Sequence, residues 1–182
     1  MRIISGTHKG KRIKAPKNLP VRPTTDMAKE GLFNILNNTY YFDEVSVLDL
    51  FSGTGNISYE FASRGTKKSL CVDENLKCVN FINKTAKNLS FEGISIIQSD
   101  VFKFLTNYNQ QKDIIFADPP YEMEGLNKII DLVFEKKILS KKGTLVIEHS
   151  SKKDFSKQNF FTNNRRYGNV YFSFFKWEQN EE

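Results

Sequence analysis

At 182 residues, with 39% hydrophobic and 26% charged residues, the chain can bury one core and is not expected to be disordered. Cys71 and Cys78 are too few for a disulfide framework or a zinc site, His8 and His149 form no ligand pattern, and no stretch approaches the roughly 20 apolar residues that span a bilayer. The net charge of +6 is uneven: residues 1–22 hold seven of the 27 basic residues (Arg2, Lys9, Lys11, Arg12, Lys14, Lys17 and Arg22) and no acid, leaving 20 bases against 21 acids elsewhere.

A basic cluster of that kind is the footprint of contact with a polyanion, most often nucleic acid, or else a solvated arm that aids solubility. The N-terminus lacks the apolar core of a secretory signal, so a reducing cytoplasm is expected, with no metal and no membrane. In chain order, "RIIS", "GTHKG" and "KRIKA" predict a β-hairpin, and "PKNLPVRP" a linker. "TTDMAKEGLFNILNN" predicts a helix capped by Thr24 or Thr25, with Ala28, Leu32, Ile35 and Leu36 on one face and Gly31 weakening it.

Strands then alternate with helices. Residues 45–51, 69–73, 95–100, 113–118 and 143–149 read as strands. "NISYEFASRG", "NLKCVNFINKTAKNL", "VFKFLTNY" and "GLNKIIDLVFEKKIL" read as the helices between them, and "FFTNNRRYG" with "NVYFSFFKW" as a final antiparallel pair. That alternation predicts an α/β fold, a mostly parallel seven-stranded sheet with helices on both faces.

Ligands of such sheets bind beyond the carboxyl ends of the strands, where the topology switches. The first strand runs into Asp49-Leu50-Phe51-Ser52-Gly53-Thr54-Gly55, whose glycines let backbone approach a ligand closely. Asp73 ends the second strand and Asp100, before Val101, the third. The loop lacks the third glycine of a dinucleotide fingerprint and the Lys-Thr of a phosphate cradle, and Asp49 would repel a pyrophosphate. S-adenosylmethionine, with a sulfonium, an amino-acid end, a ribose and an adenine, suits these acids better. Taken singly, each acid could be no more than a polar strand end.

The fourth strand ends in Asp118-Pro119-Pro120-Tyr121. An exocyclic amine on a nucleobase is a poor nucleophile, because its lone pair is delocalised into the ring. Asp118 and the Pro119 carbonyl can accept its two N–H groups, paired prolines stiffen the loop, and Tyr121 offers a face on which an extruded base can stack.

"DLFSGTG" followed by "ADPPY" is the motif pair of S-adenosylmethionine-dependent amino-methyltransferases. Together with "MRIISGTHKGKRI" and "RPTTDMAKEGLFNIL", it resembles the bacterial small-subunit ribosomal RNA guanine-N2 methyltransferase family, the RsmD type, over nearly the whole chain. The resemblance implies a Rossmann-like class I methyltransferase domain over residues 23–182, preceded by a basic hairpin and linker over residues 1–22. It implies methyl transfer to the N2 amine of one guanine in 16S rRNA, within the 30S subunit or its assembly intermediate. Apart from the resemblance, a monomer is the default expectation. Gly53, Thr54 and Gly55 would line the methionine end, with Asp49, Phe51 and Ser52 beside them. Asp73 would meet the ribose, Asp100 and Val101 the adenine, and Asp118 to Tyr121 the guanine. Arg2, Lys9, Lys11, Arg12, Lys14 and Arg22 would hold RNA. Lys29 and Gly31 depart from the arginine and alanine frequent in the family's first helix. The alternatives are a DNA adenine-N6 methyltransferase, for which the chain leaves little room for target recognition, and a non-catalytic ribosome-assembly factor. An Asn before the paired prolines would instead point to protein glutamine methylation.

Overall fold

Apolar runs of β-branched residues form five parallel strands in the computed structural model, which describes residues 1–16, 19 and 24–178. They are β1 (Ser46–Leu50), β2 (Lys68–Asp73), β3 (Ile94–Gln98), β4 (Lys112–Ala117) and β5 (Leu139–His149). Two antiparallel strands, β6 (Phe161–Tyr167) and β7 (Val170–Phe175), complete a sheet of order β3-β2-β1-β4-β5-β7-β6. The chain travels outward from β1 to β3 and then returns to place β4 on the other side of β1. The topology therefore switches between β1 and β4, where Leu48 pairs with Ile115 and Leu50 with Ala117.

Both sheet faces are covered, as the alternation predicts. Leu48, Leu50, Ile115, Ala117, Leu145 and Ile147 point to one face, beneath α4 (Val101–Asn107) and α5 (Asn127–Glu135). Val47, Ile114, Phe116 and Val146, one residue out of phase, point to the other with Phe172 and Phe174, beneath α1 (Asp26–Asn37) and α2 (Asn56–Ser63). A third apolar cluster joins α3 (Leu76–Asn88) to the N-terminal segment through Ile3, Ile13, Tyr59, Ile82 and Phe91. Among the described residues no helix is long and apolar enough to cross a membrane.

Three elements differ from the sequence expectation. The N-terminal hairpin has a single bridge, Arg2 with Arg12: Ile3, Gly10 and Ile13 N–H donate across it to the Lys11, Ile3 and Met1 carbonyls, and those of Ile4, Ser5, Thr7 and His8 turn instead to α2. Ile4 and Ser5 N–H donate to the two carboxylate oxygens of Glu60 at 2.8 and 3.0 Å, and Thr7 and His8 N–H to the carbonyl and hydroxyl of Ser63. Gly6, at φ +82°, lies so close that a Cβ there would overlap the Ser63 carbonyl. The final helix stops at Glu135 rather than Leu139: Lys137 turns the chain at φ 55°, and buried Ile138 and Leu139 lead into β5. Strand β3 stops at Gln98, so Asp100 serves as the N-cap of α4, accepting from Lys103 N–H at 2.8 Å.

Of the two candidate caps for α1, Thr25 accepts from Ala28 N–H. The buried face of α1 is wider than expected, taking in Phe33 and the fully buried Lys29, while Ile35 is only half-buried. Gly31 packs against the Tyr167 ring of β6, where a Cβ would come within 2.2 Å of ring carbons. Most of the linker, and Arg22 with it, lies outside the described residues.

Candidate active site

The loop after β1 is built on left-handed residues: Phe51 at φ 58°, Gly53 at φ 53° and Gly55 at φ 76°. A phenylalanine in that region is uncommon, and such strain persists only where the surroundings hold it. Here Ser52 fastens the loop across two strands. Its hydroxyl donates to the Asp49 carbonyl at 2.6 Å and accepts from Val72 N–H at 3.0 Å. Asp73 adds a second tie, its carboxylate accepting from Gly53 N–H and Asn75 N–H, both at 2.8 Å. Gly55 then begins α2 with no side-chain cap, and a Cβ on it would meet the Tyr59 ring at 2.8 Å. Thr54 is buried beside it.

Period-two geometry places three carboxylates on one sheet face. Asp49 follows Val47 by two residues, Asp118 follows Phe116 and Glu148 follows Val146, all on the α1 and α2 side. Ala117 pairs with Ile147, so one step further along both strands brings Asp118 beside Glu148. Asp118 N–H also donates to the Leu50 carbonyl at 3.3 Å, locking the end of β4 to the end of β1.

This crowding of acids has an electrostatic signature. Burial pushes the Asp49 carboxyl up to about 7, against a 2.6 Å hydrogen bond from Ser58 Oγ, and the charge of Asp73 pushes the same way. Burial raises Asp118 well above the carboxylate range, with Glu148 and Asp49 adding repulsion. Burial likewise lifts Glu148 to about 7, though Thr24 and Tyr121 donate to it at 2.7 and 3.4 Å. The result is a cluster of acids that favours a cationic ligand or protons over any phosphate.

The remaining predicted residues fall into three places. Pro119 is buried and Pro120 exposed, and the Tyr121 ring is 44% exposed at the mouth. Asp100 is exposed and Val101 buried at the start of α4, one strand beyond Asp73. Arg2, Lys9, Lys11, Arg12 and Lys14 are all exposed on the N-terminal segment, where Met1, Arg2, Arg12 and Asp26 line a hollow and Arg2 pairs with Asp26 at 3.1 Å.

Sequence reasoning missed Glu148 and the buried polar network behind it. Lys29 Nζ donates to the Arg2 carbonyl at 2.6 Å and Asn56 Oδ1 at 2.8 Å, and lies 3.6 Å from Glu60. Glu60 also takes Arg64 Nε at 2.8 Å. Asn56 Nδ2 in turn donates to the Thr24 carbonyl at 3.0 Å. The signal for Glu148 was present: "IIFAD" and "LVIEH" each carry an acid two residues after a core position, in step once β4 and β5 are known to be neighbours.

A protein family described as conserved hypothetical protein 95 matches residues 1–176. The chain belongs to that family. Its relatives include ribosomal RNA small subunit methyltransferase D of Buchnera aphidicola subsp. Acyrthosiphon pisum, 35% identical over 152 residues, covering 82% of this chain and 78% of that one. The Escherichia coli K12 protein of the same name is 26% identical over 148 residues, covering 81% and 74%. Among solved structures, a hypothetical protein of Thermus thermophilus superposes with a TM-score of 0.84 at 22% identity over 97% of this chain and 99% of that one. An RNA methyltransferase from Salinibacter ruber in complex with S-adenosyl-L-homocysteine superposes at 0.67 and 16% identity, over 88% and 98%. The fold of the family member described here is thus the Rossmann-like class I methyltransferase fold, and the resemblance read from its motifs holds.

Proposed function

We propose that the protein transfers a methyl group from S-adenosylmethionine to the exocyclic N2 amine of a guanine in 16S rRNA of the small ribosomal subunit. The observation that carries this reading is the meeting of Asp49, Asp118 and Glu148 at the tips of three neighbouring strands beside the topological switch. Buried Asp49 and half-buried Asp118, whose proton affinity Asp49 and Glu148 raise, suit a ligand bearing positive charge, which this cofactor has at its sulfur and its amino group. The names of the relatives support ribosomal RNA as the substrate class.

Gly53, Thr54 and Gly55 would hold the methionine end, with Phe51 and Ser52 shaping the loop and Asp49 supplying opposite charge. Asp73 would take the ribose hydroxyls, and Asp100 with Val101 the adenine. The bound cofactor supplies a methyl group on a cationic sulfur and leaves as a neutral thioether. Asp118 accepts hydrogen bonds from the target amine, turning its lone pair out of conjugation, and its raised proton affinity suits it to take the proton the amine loses. Tyr121 stacks the extruded base, and the stiff Pro119-Pro120 pair keeps carboxylate and ring in register. Alignment of this kind supplies up to ~7–11 kcal/mol of an oriented reaction's acceleration. Arg2, Lys9, Lys11, Arg12, Lys14 and Arg22 would grip RNA phosphates around the site.

The test is transfer of labelled methyl to unmethylated small subunits, naked 16S rRNA and duplex DNA, followed by mapping of the modified base. The expected product is N2-methylguanine at one ribosomal RNA position, with Asp118→Ala inactive yet still binding the cofactor. Label on DNA adenine, or wild-type turnover by Asp118→Ala, would overturn the reading.

A further inference from the structure

One carboxylate of the acidic cluster, Glu148, is given no contact with cofactor or base in the roles assigned above. Glu148 is only 2% exposed and lies on β5, at the level of Asp118 on β4. Its Oε2 accepts from Thr24 Oγ1 at 2.7 Å, and its Oε1 faces the Tyr121 hydroxyl at a long 3.4 Å. Thr24 is itself held fast, because its carbonyl accepts from Asn56 Nδ2, Asn56 Oδ1 accepts from Lys29 Nζ, and Lys29 Nζ also donates to the Arg2 carbonyl. Thr24, Lys29, Asn56 and Glu148 are all buried. A continuous line of hydrogen bonds therefore runs from the backbone of the basic N-terminal segment to the phenol of Tyr121, whose ring stays 44% exposed.

Resting on the methyl-transfer reading above, we propose that Glu148 is a positioning residue for the target base: it anchors the Tyr121 ring by its hydroxyl and ties the Asp-Pro-Pro-Tyr loop to the N-terminal segment. A carboxylate suits this task because it accepts from Thr24 and Tyr121 at once, whereas an amide would turn a donor toward one of them. Hydrogen bonds of this kind are often loose in a free enzyme and tighten when substrate is bound. Glu148 also conditions its neighbour. Asp118 is faced by Glu148 from β5 and Asp49 from β1, both acidic. Glu148 is faced by Thr24 ahead of α1, by Tyr121 and by Asp118. Asp73 stands beyond Asp49, and the charge of Lys29 is turned toward Glu60. Removing the charge at 148 therefore removes repulsion from Asp118.

The experiment is steady-state methylation of the RNA substrate by wild type, Glu148→Gln, Tyr121→Phe, Thr24→Val and the double variant Glu148→Gln/Tyr121→Phe, across pH. Glu148→Gln should raise the KM for RNA about tenfold, with a smaller loss of kcat. It should also move the acidic limb of the kcat profile down by about one pH unit, a shift that a purely structural role would not produce. Tyr121→Phe and Thr24→Val should raise the KM similarly, and the double variant should do no worse than Glu148→Gln, since both changes cut one link. Cofactor affinity measured by calorimetry should stay within about twofold in every variant, reporting an intact fold. Should Glu148→Gln fail to fold, a KM rise in Tyr121→Phe and Thr24→Val sustains the proposal. An active wild type with unchanged KM and pH limb in Glu148→Gln, or additive effects in the double variant, overturns this proposal alone. A wild type inactive on RNA refutes the proposed function, and the role of Glu148 falls with it.

Discussion

Glu60→Gln isolates what seats the basic segment on the body of the protein. Glu60 is fully buried on α2 and receives the N–H groups of Ile4 and Ser5, the Arg64 guanidinium and, at 3.6 Å, the Lys29 ammonium. Glutamine keeps the volume but loses the charge and turns one acceptor into a donor. At least one backbone N–H is then orphaned, and the buried Lys29 keeps no carboxylate partner. Breaking a buried ion pair from one side costs ~3–5 kcal/mol, and a chain of this size loses ~2–4 °C in Tm per kcal/mol, so a fall of ~6–20 °C is expected. Circular dichroism melts measure it, and trypsin should cut sooner after Lys9, Lys11 and Arg12.

The pH dependence gives a second readout. Burial holds the Lys29 ammonium below its ordinary range, with Glu60 pulling it back up. Without Glu60 it falls further, so the native state binds fewer protons than the unfolded state below lysine's usual range. Stability must then climb as pH rises, and the variant's deficit should narrow toward about pH 10. A Tm within about 2 °C of wild type, with trypsin sensitivity unchanged, would refute the reasoning.

Further outcomes follow from other contacts. Asp49 and Glu148, pushed to about 7 from 3.8 and 4.5, favour the folded state while protonated, so they contribute stability at low pH that is lost on rising through about 7. Because Asp49 is the acid that supplies opposite charge to the cofactor, the stabilisation conferred by S-adenosylmethionine in thermal shift should grow from about pH 5 to about pH 8, and a flat profile would remove Asp49 from its site. Gly31→Ala should destabilise by ~1–2 kcal/mol in chemical denaturation, overpacking against Tyr167 outweighing the helical gain of alanine. In a Tyr167→Ala background the same change should stabilise; a sign that stays the same would show the ring is not the obstacle. Reversing charge at Lys9, Lys11 and Arg12 should weaken RNA binding and flatten its salt dependence by about one unit per lost phosphate contact. An unchanged slope would take these side chains off the RNA.

Local signals account for most of what could be read without the structure. The strands around "VSVLDLF" and "DIIFAD" declare themselves because their apolar side chains alternate between cores on the two faces, and the glycine loop and Asp-Pro-Pro-Tyr stand at their ends. Pairing between distant segments was less legible. Glu148 looked like one more residue of a strand until β5 was placed next to β4, and Lys29 stood out only as a departure from the family's arginine until Glu60 was found beside it. The basic hairpin was recognisable by its turn but not by its seating, since the groups that take the N–H of Ile4, Ser5, Thr7 and His8 lie more than 50 positions away on α2. Gly31 makes sense only together with Tyr167, on a strand near the far end of the chain.

The place of β7 between β5 and β6 sets a constraint on synthesis. As the nascent polypeptide emerges, β6 is available before β7 and could compete for the open flank of β5. It is poorly suited to do so: Thr162, Asn163, Asn164, Arg165 and Arg166 are polar and exposed on both sides, whereas β7 brings Phe172, Phe174 and Phe175 to fill the two faces. The polar outer strand thus keeps the vacant slot free for its successor, and also leaves the finished sheet with a rim that resists sticking to other molecules.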